Sequence, residues 1–173
     1  NDVWRSENQG ETWEPITENA DWSARTKHTS VVLPDDSIVL MGGYYKLNDV
    51  WQSKDGGKNW TQMTGAAEWS AREGHTSVIL SDGSILLMGG YKDYESRFND
   101  VWLSTDKGAT WDLVTEQAEW PGRMDHTSVV LPDHSIVLMG GRKSQYLTDS
   151  LNDVWRLQTG TEDFANYLPL VIR

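Results

Sequence analysis

The stretch NDVWQSKDGGKNWTQMTGAAEWSAREGHTSVILSDGSILLMGG, residues 48–90, decides the fold, because the chain writes its pattern three times. Residues 1–43 and 99–141 align with it without a gap, and Asn-Asp-Val-Trp returns once more at Asn152–Trp155. The tryptophans of that motif, Trp4, Trp51, Trp102 and Trp155, stand 47, 51 and 53 positions apart. A period of this size marks an array of similar supersecondary units. Length varies only between Gly-Gly and the next motif, with four residues at 44–47, eight at 91–98 and ten at 142–151. Insertions survive in surface loops and not in packed elements, so these segments are loops on one common edge.

Each unit holds four short strand candidates separated by turn residues. His75–Leu80 alternates and is rich in β-branched residues, and Ser81-Asp82-Gly83 makes a tight turn. Ser84–Met88 is an apolar run of the kind buried on both faces, ending at Gly89-Gly90. Asp100–Leu103 and Thr110–Val114 follow, with a turn over Ser104–Ala109 between them. Glu116–Glu119 gives one helical turn at most. Four antiparallel strands in roughly 40–50 residues make the blade of a β-propeller. The expected fold is therefore all-β, with inner strands at His28–Leu33, His75–Leu80 and His126–Leu131. The expected units are 1–47, 48–98, 99–151 and a partial 152–157, followed by a tail, 158–173, whose Phe164–Ile172 is apolar enough for a closing strand or cover.

About three blades do not close a ring, since propellers typically have four to eight. Either a second copy completes the ring or the chain is part of a larger propeller. The expectation favoured here is a homodimer.

The chain has 173 residues and no cysteine, so disulfides and thiolate metal sites are excluded. No apolar run approaches the roughly 20 residues of a membrane-spanning helix. The net charge of −11 is spread along the units. An evenly acidic surface argues against nucleic acid and anionic membranes as partners. The first residue is Asn, consistent with a processed chain, and the expected location is secreted or cell-surface.

The order Arg-x-x-His, strand, turn, strand, Gly-Gly, loop, Asn-Asp-Val-Trp, Trp resembles the kelch repeat over residues 1–157. Ser6–Trp13, Ser53–Trp60 and Ser104–Trp111 resemble the Asp-box (BNR-like) turn, Ser-x-Asp-x-Gly-x-Thr-Trp. Asn8 replaces Asp in the first, Asn59 replaces Thr in the second, and the box is missing after Trp155. An Asp or Asn oxygen there accepts backbone N–H groups of its own turn, and glycine supplies the positive φ. Asn8, Gly10, Trp13, Asp55, Gly57, Trp60, Asp106, Gly108 and Trp111 are accordingly expected to be structural. The resemblance implies that these hairpins lie away from the binding face.

Trp4, Trp51, Trp102, Trp155, Trp13, Trp60 and Trp111 are expected in packing between blades, since a large aromatic buries roughly 150–250 Å². Trp22, Trp69 and Trp120 sit in the stretch Asp/Glu-Trp-Ser/Pro-Ala/Gly-Arg that leads from blade to blade, with Arg25, Arg72 and Arg123, and His28, His75 and His126 close by. One reading makes Arg a bridge between adjacent blades and His a cap on the inner strand. The other makes Arg and Trp a ring around the channel mouth, pairing with carboxylates and stacking on sugars or cations. Residues that differ between units are the better candidates for selectivity: Tyr44, Tyr45, Tyr91, Asp93, Tyr94, Glu95, Arg97, Arg142, Lys143, Gln145 and Tyr146.

The function favoured by the sequence is a non-catalytic binding module for a protein or glycan ligand, with no cofactor, no metal and no catalytic residue. Its candidate ligand-binding residues are Arg25, Arg72, Arg123, Trp22, Trp69, Trp120, Tyr44, Tyr91, Tyr94, Arg142 and Tyr146. A structural or assembly propeller is one alternative. A sialidase-like glycoside hydrolase is another, implied by the Asp-boxes, although positions repeated on every blade are unlike a single asymmetric site. The Cys–Tyr radical chemistry of kelch-type copper oxidases is excluded by the absence of cysteine.

Overall fold

The computed structural model describes residues 1–157 except 46, 94 and 95. The expectations placed on Phe164–Ile172, Tyr94 and Glu95 lie outside these residues. Among the described residues thirteen strands follow one another: β1 Val3–Arg5, β2 Glu14–Thr17, β3 Thr29–Val32, β4 Ile38–Gly43, β5 Leu47–Ser53, β6 Thr61–Thr64, β7 Thr76–Ile79, β8 Ile85–Met88, β9 Val101–Ser104, β10 Asp112–Thr115, β11 Thr127–Val130, β12 Ile136–Met139 and β13 Val154–Leu157. A single 3-10 turn, Leu147–Asp149, is the only helical element among the described residues.

The strands pair antiparallel into four sheets: β1-β2, β3-β4-β5-β6, β7-β8-β9-β10 and β11-β12-β13. The architecture is a partial β-propeller with two complete blades, an outer pair before them and a three-stranded blade after them. Each complete blade takes its first two strands from one sequence unit and its last two from the next. Register repeats as well, with Ser30 opposite Leu40, Ser77 opposite Leu87 and Ser128 opposite Leu138. Strands β3, β7 and β11 touch from blade to blade, which makes them the inner strands. The outer strand of the second complete blade begins at Asp112, two residues later than the expected Thr110. Trp13, Trp60 and Trp111 precede β2, β6 and β10 and belong to the hairpin turn.

The core lies between blades. Strand alternation sends Val31, Val39, Met41 and Val50 to one face of the first complete blade, where they meet Ile85, Leu87, Trp69 and Trp111. The other face of the second complete blade packs Val78, Leu86, Met88 and Val101 against Ile136 and Leu138. Val39, Met41, Val50, Ile85 and Leu87 reach 3% exposure or less, and burying each such side chain contributes about 1.5–3 kcal/mol. The first seam is smaller, with Ala20, Trp22, Leu40 and Trp60 at its centre.

Candidate functional site

The Asn-Asp-Val-Trp motif recurs because all four residues have structural partners. Asn48 donates through Nδ2 to the carbonyl oxygens of Ala67 and Trp69, at 2.9 and 3.4 Å, and so fixes the connection to the next blade. Asn1 and Asn99 do the same for Ala20/Trp22 and Ala118/Trp120. The carboxylate of Asp100 takes both ends of the Arg72 guanidinium at 2.6 and 2.7 Å and the indole N–H of Trp102 at 2.8 Å. Arg25 holds Asp49, and Arg123 holds Asp153, in the same bidentate way. Val50 and Val101 fill the seams.

This corrects the expected ring of ligand-facing Arg and Trp. Trp69, Arg72 and Arg123 are 0%, 1% and 0% exposed, Trp22 and Trp120 are buried, and the Arg25 side chain is fully covered by its pairing. The arginine side chain also does not bridge blades, since Arg72 and its partner Asp100 both belong to the second complete blade. The side-chain bridge is histidine. His75 meets the Thr29 hydroxyl of the preceding blade through Nε2 at 3.0 Å, and His126 meets that of Thr76 at 3.0 Å. Burial, with Arg72 and Arg123 nearby, lowers these histidines to about 3 and about 4, so both are neutral at pH 7. For Asp49, burial works to raise the pKa, but the bonds from Arg25 and Trp51 outweigh it and hold the carboxyl below its usual range. The bond from Arg123 depresses Asp153 to about 2.

The Ser-x-Asp-x-Gly hairpins are closed by their own polar groups. Asp106 accepts the Thr110 N–H at 2.9 Å and the Thr110 hydroxyl at 2.7 Å, while Ser104 Oγ accepts the Gly108 N–H at 2.8 Å. Asp55 takes the Asn59 N–H at 2.9 Å, which with the Asn59 side chain lowers it to about 2. Asn8 accepts the Thr12 N–H at 3.0 Å. The hairpins pack onto the preceding sheet, because a Cβ on Gly108 would lie 2.7 Å from Val50 Cγ1, and one on Gly57 would lie 2.8 Å from Val3 Cγ1. Their tryptophans meet the connection tryptophans edge-on, Trp22 with Trp60 at 5.8 Å and Trp69 with Trp111 at 6.0 Å. Among the described residues Trp13 has no such partner, and it is 58% exposed, against 8% for Trp60 and 3% for Trp111.

At the other end of the strands, the connections pair with the variable loops. Tyr91 and Glu73 exchange both backbone hydrogen bonds, and so do Arg142 and Met124. Tyr44 donates its N–H to Thr26, the equivalent residue of the first unit. From blade to blade, the Gly74 N–H donates to Lys27 O at 3.0 Å and the Asp125 N–H to Gly74 O at 2.9 Å. The three residues of that chain share a left-handed backbone, with φ of 54, 63 and 54°.

One cleft of about 260 Å³ opens here, between the two complete blades, with Tyr44, Tyr45, Arg72, Glu73, Tyr91 and Lys92 around it. The Tyr44 and Tyr45 rings lie 4.4 Å apart, and both are exposed. Glu73 is 7% exposed. Lys27 donates to the Tyr91 hydroxyl at 2.8 Å, lies 5.0 Å from its ring centre and stands 3.6 Å from the Glu73 carboxylate. Burial raises the Tyr91 pKa, and Glu73 adds to the effect, so the phenol stays protonated. For Lys27, burial is outweighed by Tyr91, Asp125 and Glu73, which keep it charged. A phenol held in this way is a donor and a stacking surface rather than an activated nucleophile.

Of the candidates expected on this end, Tyr44 and Tyr91 meet in the cleft. Arg142 is instead tied to Asp125 at 2.9 and 2.5 Å and to the Gln145 carbonyl, and Tyr146 stands exposed on the same loop. Sequence reasoning missed Glu73 and Lys27. The available signal was that Thr26, Glu73 and Met124, then Lys27, Gly74 and Asp125, differ between units one and two residues after the shared arginine. Among the described residues no three His, Asp or Glu side chains converge as metal ligands.

A family model described as Attractin/LZTR1 beta-propeller matches residues 1–168. No curated protein matches the sequence. Among solved structures, that of YjhT is similar over 92% of this chain and 56% of its own, with a TM-score of 0.74 and 16% identity. The α-L-arabinofuranosidase Arb93A from Fusarium graminearum, solved with an iminosugar inhibitor, is similar over 85% and 48%, with a TM-score of 0.61 and 17% identity. At such identities the likeness concerns the fold, and the chain spans about half the length of these proteins.

Proposed function

This chain belongs to the Attractin/LZTR1 β-propeller family, and from that premise we propose that it is a non-catalytic binding module, secreted or displayed at the cell surface. Its ligand would meet the end of the blades where the connections and variable loops lie. One observation carries this reading. Side chains repeated in every unit are engaged inside and between blades, whereas Tyr44, Tyr45, Glu73, Tyr91 and Lys92, at positions that are not the same in all three units, surround one cleft. A fold that needed only rigidity has no use for that convergence. A sialidase-like hydrolase is disfavoured, because Arg25, Arg72 and Arg123 each already hold an aspartate and Tyr91 is kept protonated. The test is binding of the chain to arrays of glycans and of purified ectodomains, with Tyr91→Ala and Asp106→Ala in parallel. Loss with the first variant and retention with the second supports the assignment. Loss with Asp106→Ala alone places the ligand on the hairpin side and refutes it.

A second reading, association with another copy, is favoured by the terminal faces. Val129 and Val154 are exposed at positions where Val31 and Val50 are buried between blades. These faces would accept a further blade, and a second chain would supply one. Light scattering that gives twice the 19.6 kDa chain mass supports this, and a monomer at high concentration rules it out.

A further inference from the structure

The cleft between the two complete blades can be compared with an internal control, the next seam along the chain. Both are built on the same main-chain bonds: the Gly43 N–H donates to Arg72 O at 3.0 Å, and the Gly90 N–H to Arg123 O at 2.9 Å. The side chains differ. Tyr44, Tyr45, Glu73 and Tyr91 in the first seam correspond to Tyr91, Lys92, Met124 and Arg142 in the second. Met124 is buried at its position, so the fold accepts an apolar residue there. Glu73 is therefore not a requirement of the blade. A buried carboxylate is unfavourable unless fully paired, yet Glu73 Oε2 accepts no well-formed hydrogen bond, and the neighbours of the carboxylate are Lys27 at 3.6 Å and the Tyr91 hydroxyl. An under-satisfied acid at the wall of a cleft, beside three tyrosines, is a candidate binding group.

We infer that this cleft is a subsite for one neutral, hydroxyl-bearing ring, that is, a sugar residue of a glycan; the inference rests on the binding-module reading above. The charges select against the alternatives. An anionic group would meet Glu73. A cationic group would meet Lys27 and Lys92, and the Tyr91 face already carries Arg97 at 5.4 Å as well as Lys27. A neutral ring meets neither penalty. Its hydroxyl donates to the Glu73 carboxylate, Lys92 donates to another oxygen, and its apolar face lies on the exposed Tyr44–Tyr45 pair, whose rings are tilted by 49°. The volume of about 260 Å³ is below the roughly 300 Å³ at which pockets for drug-sized ligands begin, so it suits one ring rather than a chain of them.

The experiment is ligand-observed NMR of the chain with methyl glycosides of glucose, galactose, mannose and xylose, and with glucuronate and glucosamine as charged counterparts. A ligand of about a dozen non-hydrogen atoms is expected to bind with a dissociation constant on the order of 1 mM. At least one neutral glycoside should bind, and the charged analogue more weakly. Glu73→Met, which copies the sister seam, should keep or raise the melting temperature while weakening binding at least tenfold. Tyr44→Ala should weaken it similarly, and Tyr146→Ala should leave it unchanged. Undiminished binding to a well-folded Glu73→Met variant overturns the proposal, as does preference for a charged sugar. Failure of all glycosides, with an ectodomain ligand that is lost on Tyr91→Ala, overturns the glycan assignment and leaves the module reading standing. Failure of both glycosides and ectodomains overturns both.

Discussion

Replacing Asp100 by Asn removes one charge and almost no volume, and its cost is set by what remains. The Arg72 side chain is 0% exposed and that of Asp100 12%. The guanidinium keeps the carbonyls of Gly89 and Ser70, at 2.9 and 3.0 Å, and the Phe98 ring at 4.0 Å. It loses its counter-charge and one of two short bonds, and the amide N–H of the new side chain points at a donor. Breaking a buried pair from one side costs about 3–5 kcal/mol. The Trp102 indole bond moves to a weaker acceptor in the same step, which keeps the expectation toward the upper half of that range. For a domain of this size the melting temperature should fall by about 6–20 °C. Arg72→Met should cost less, about 1–3 kcal/mol, because Asp100 retains the Trp102 N–H and some water. The double variant should recover part of the sum, with a coupling of about 1–3 kcal/mol. Urea denaturation at pH 7, followed by tryptophan fluorescence, measures all three. An Asp100→Asn cost below about 1 kcal/mol at unchanged m would show that the pair is not a structural linchpin.

Acid should loosen the seams before it affects the hairpins. The folded pKa values of His75 and His126, about 3 and about 4, lie below the unfolded value of about 6.5, so the unfolded chain takes up protons first. Stability should be full above about pH 6.5 and fall as pH drops toward 3, each histidine contributing up to about 1.4 kcal/mol per pH unit; equal urea midpoints at pH 7.5 and pH 5 would contradict this. Gly56→Ala meets open space and should cost about 1–2 kcal/mol for its positive φ alone, whereas Gly108→Ala also drives a Cβ to 2.7 Å from Val50 and should cost about 1–3 kcal/mol more. Equal thermal shifts for the two would mean that the hairpin does not press on the neighbouring sheet. Asp106→Ala should cost about 1 kcal/mol, like loss of a helix cap, since water reaches the freed turn amides; the check is denaturation beside an unchanged binding titration.

Most of the fold was legible because period-two alternation and turn residues recur in register, so a misreading in one unit is corrected by the next two. The Asp-x-Gly turns were readable for the same reason: their chemistry is local and needs only residues within four positions. The role of Arg72 was not local. Its partner Asp100 lies 28 residues on, and equivalence between units reveals that a residue is shared without revealing which way it points. Trp69 beside Arg72 looks the same in sequence whether it lines a mouth or fills a seam. The pairing was hidden in the count, since each blade-forming arginine is followed by one aspartate in the next Asn-Asp-Val-Trp. Glu73 was missed because attention to variable loops passed over variable positions inside a connection of constant length.

The chain of bonds from Lys27 to Gly74 to Asp125 joins the blades through peptide groups that every amino acid possesses. A joint of that kind makes almost no demand on the side chain beyond tolerance of a left-handed backbone, and the three positions have indeed diverged to a cation, a hydrogen and an anion. The histidine–threonine bonds in the same seams have no such freedom. Mutation can therefore rewrite the chemistry of this end one blade at a time while the packing of blade on blade stays fixed. In a gene copied from a single ancestral unit, it is there that duplicated blades could acquire separate tasks without a compensating change elsewhere.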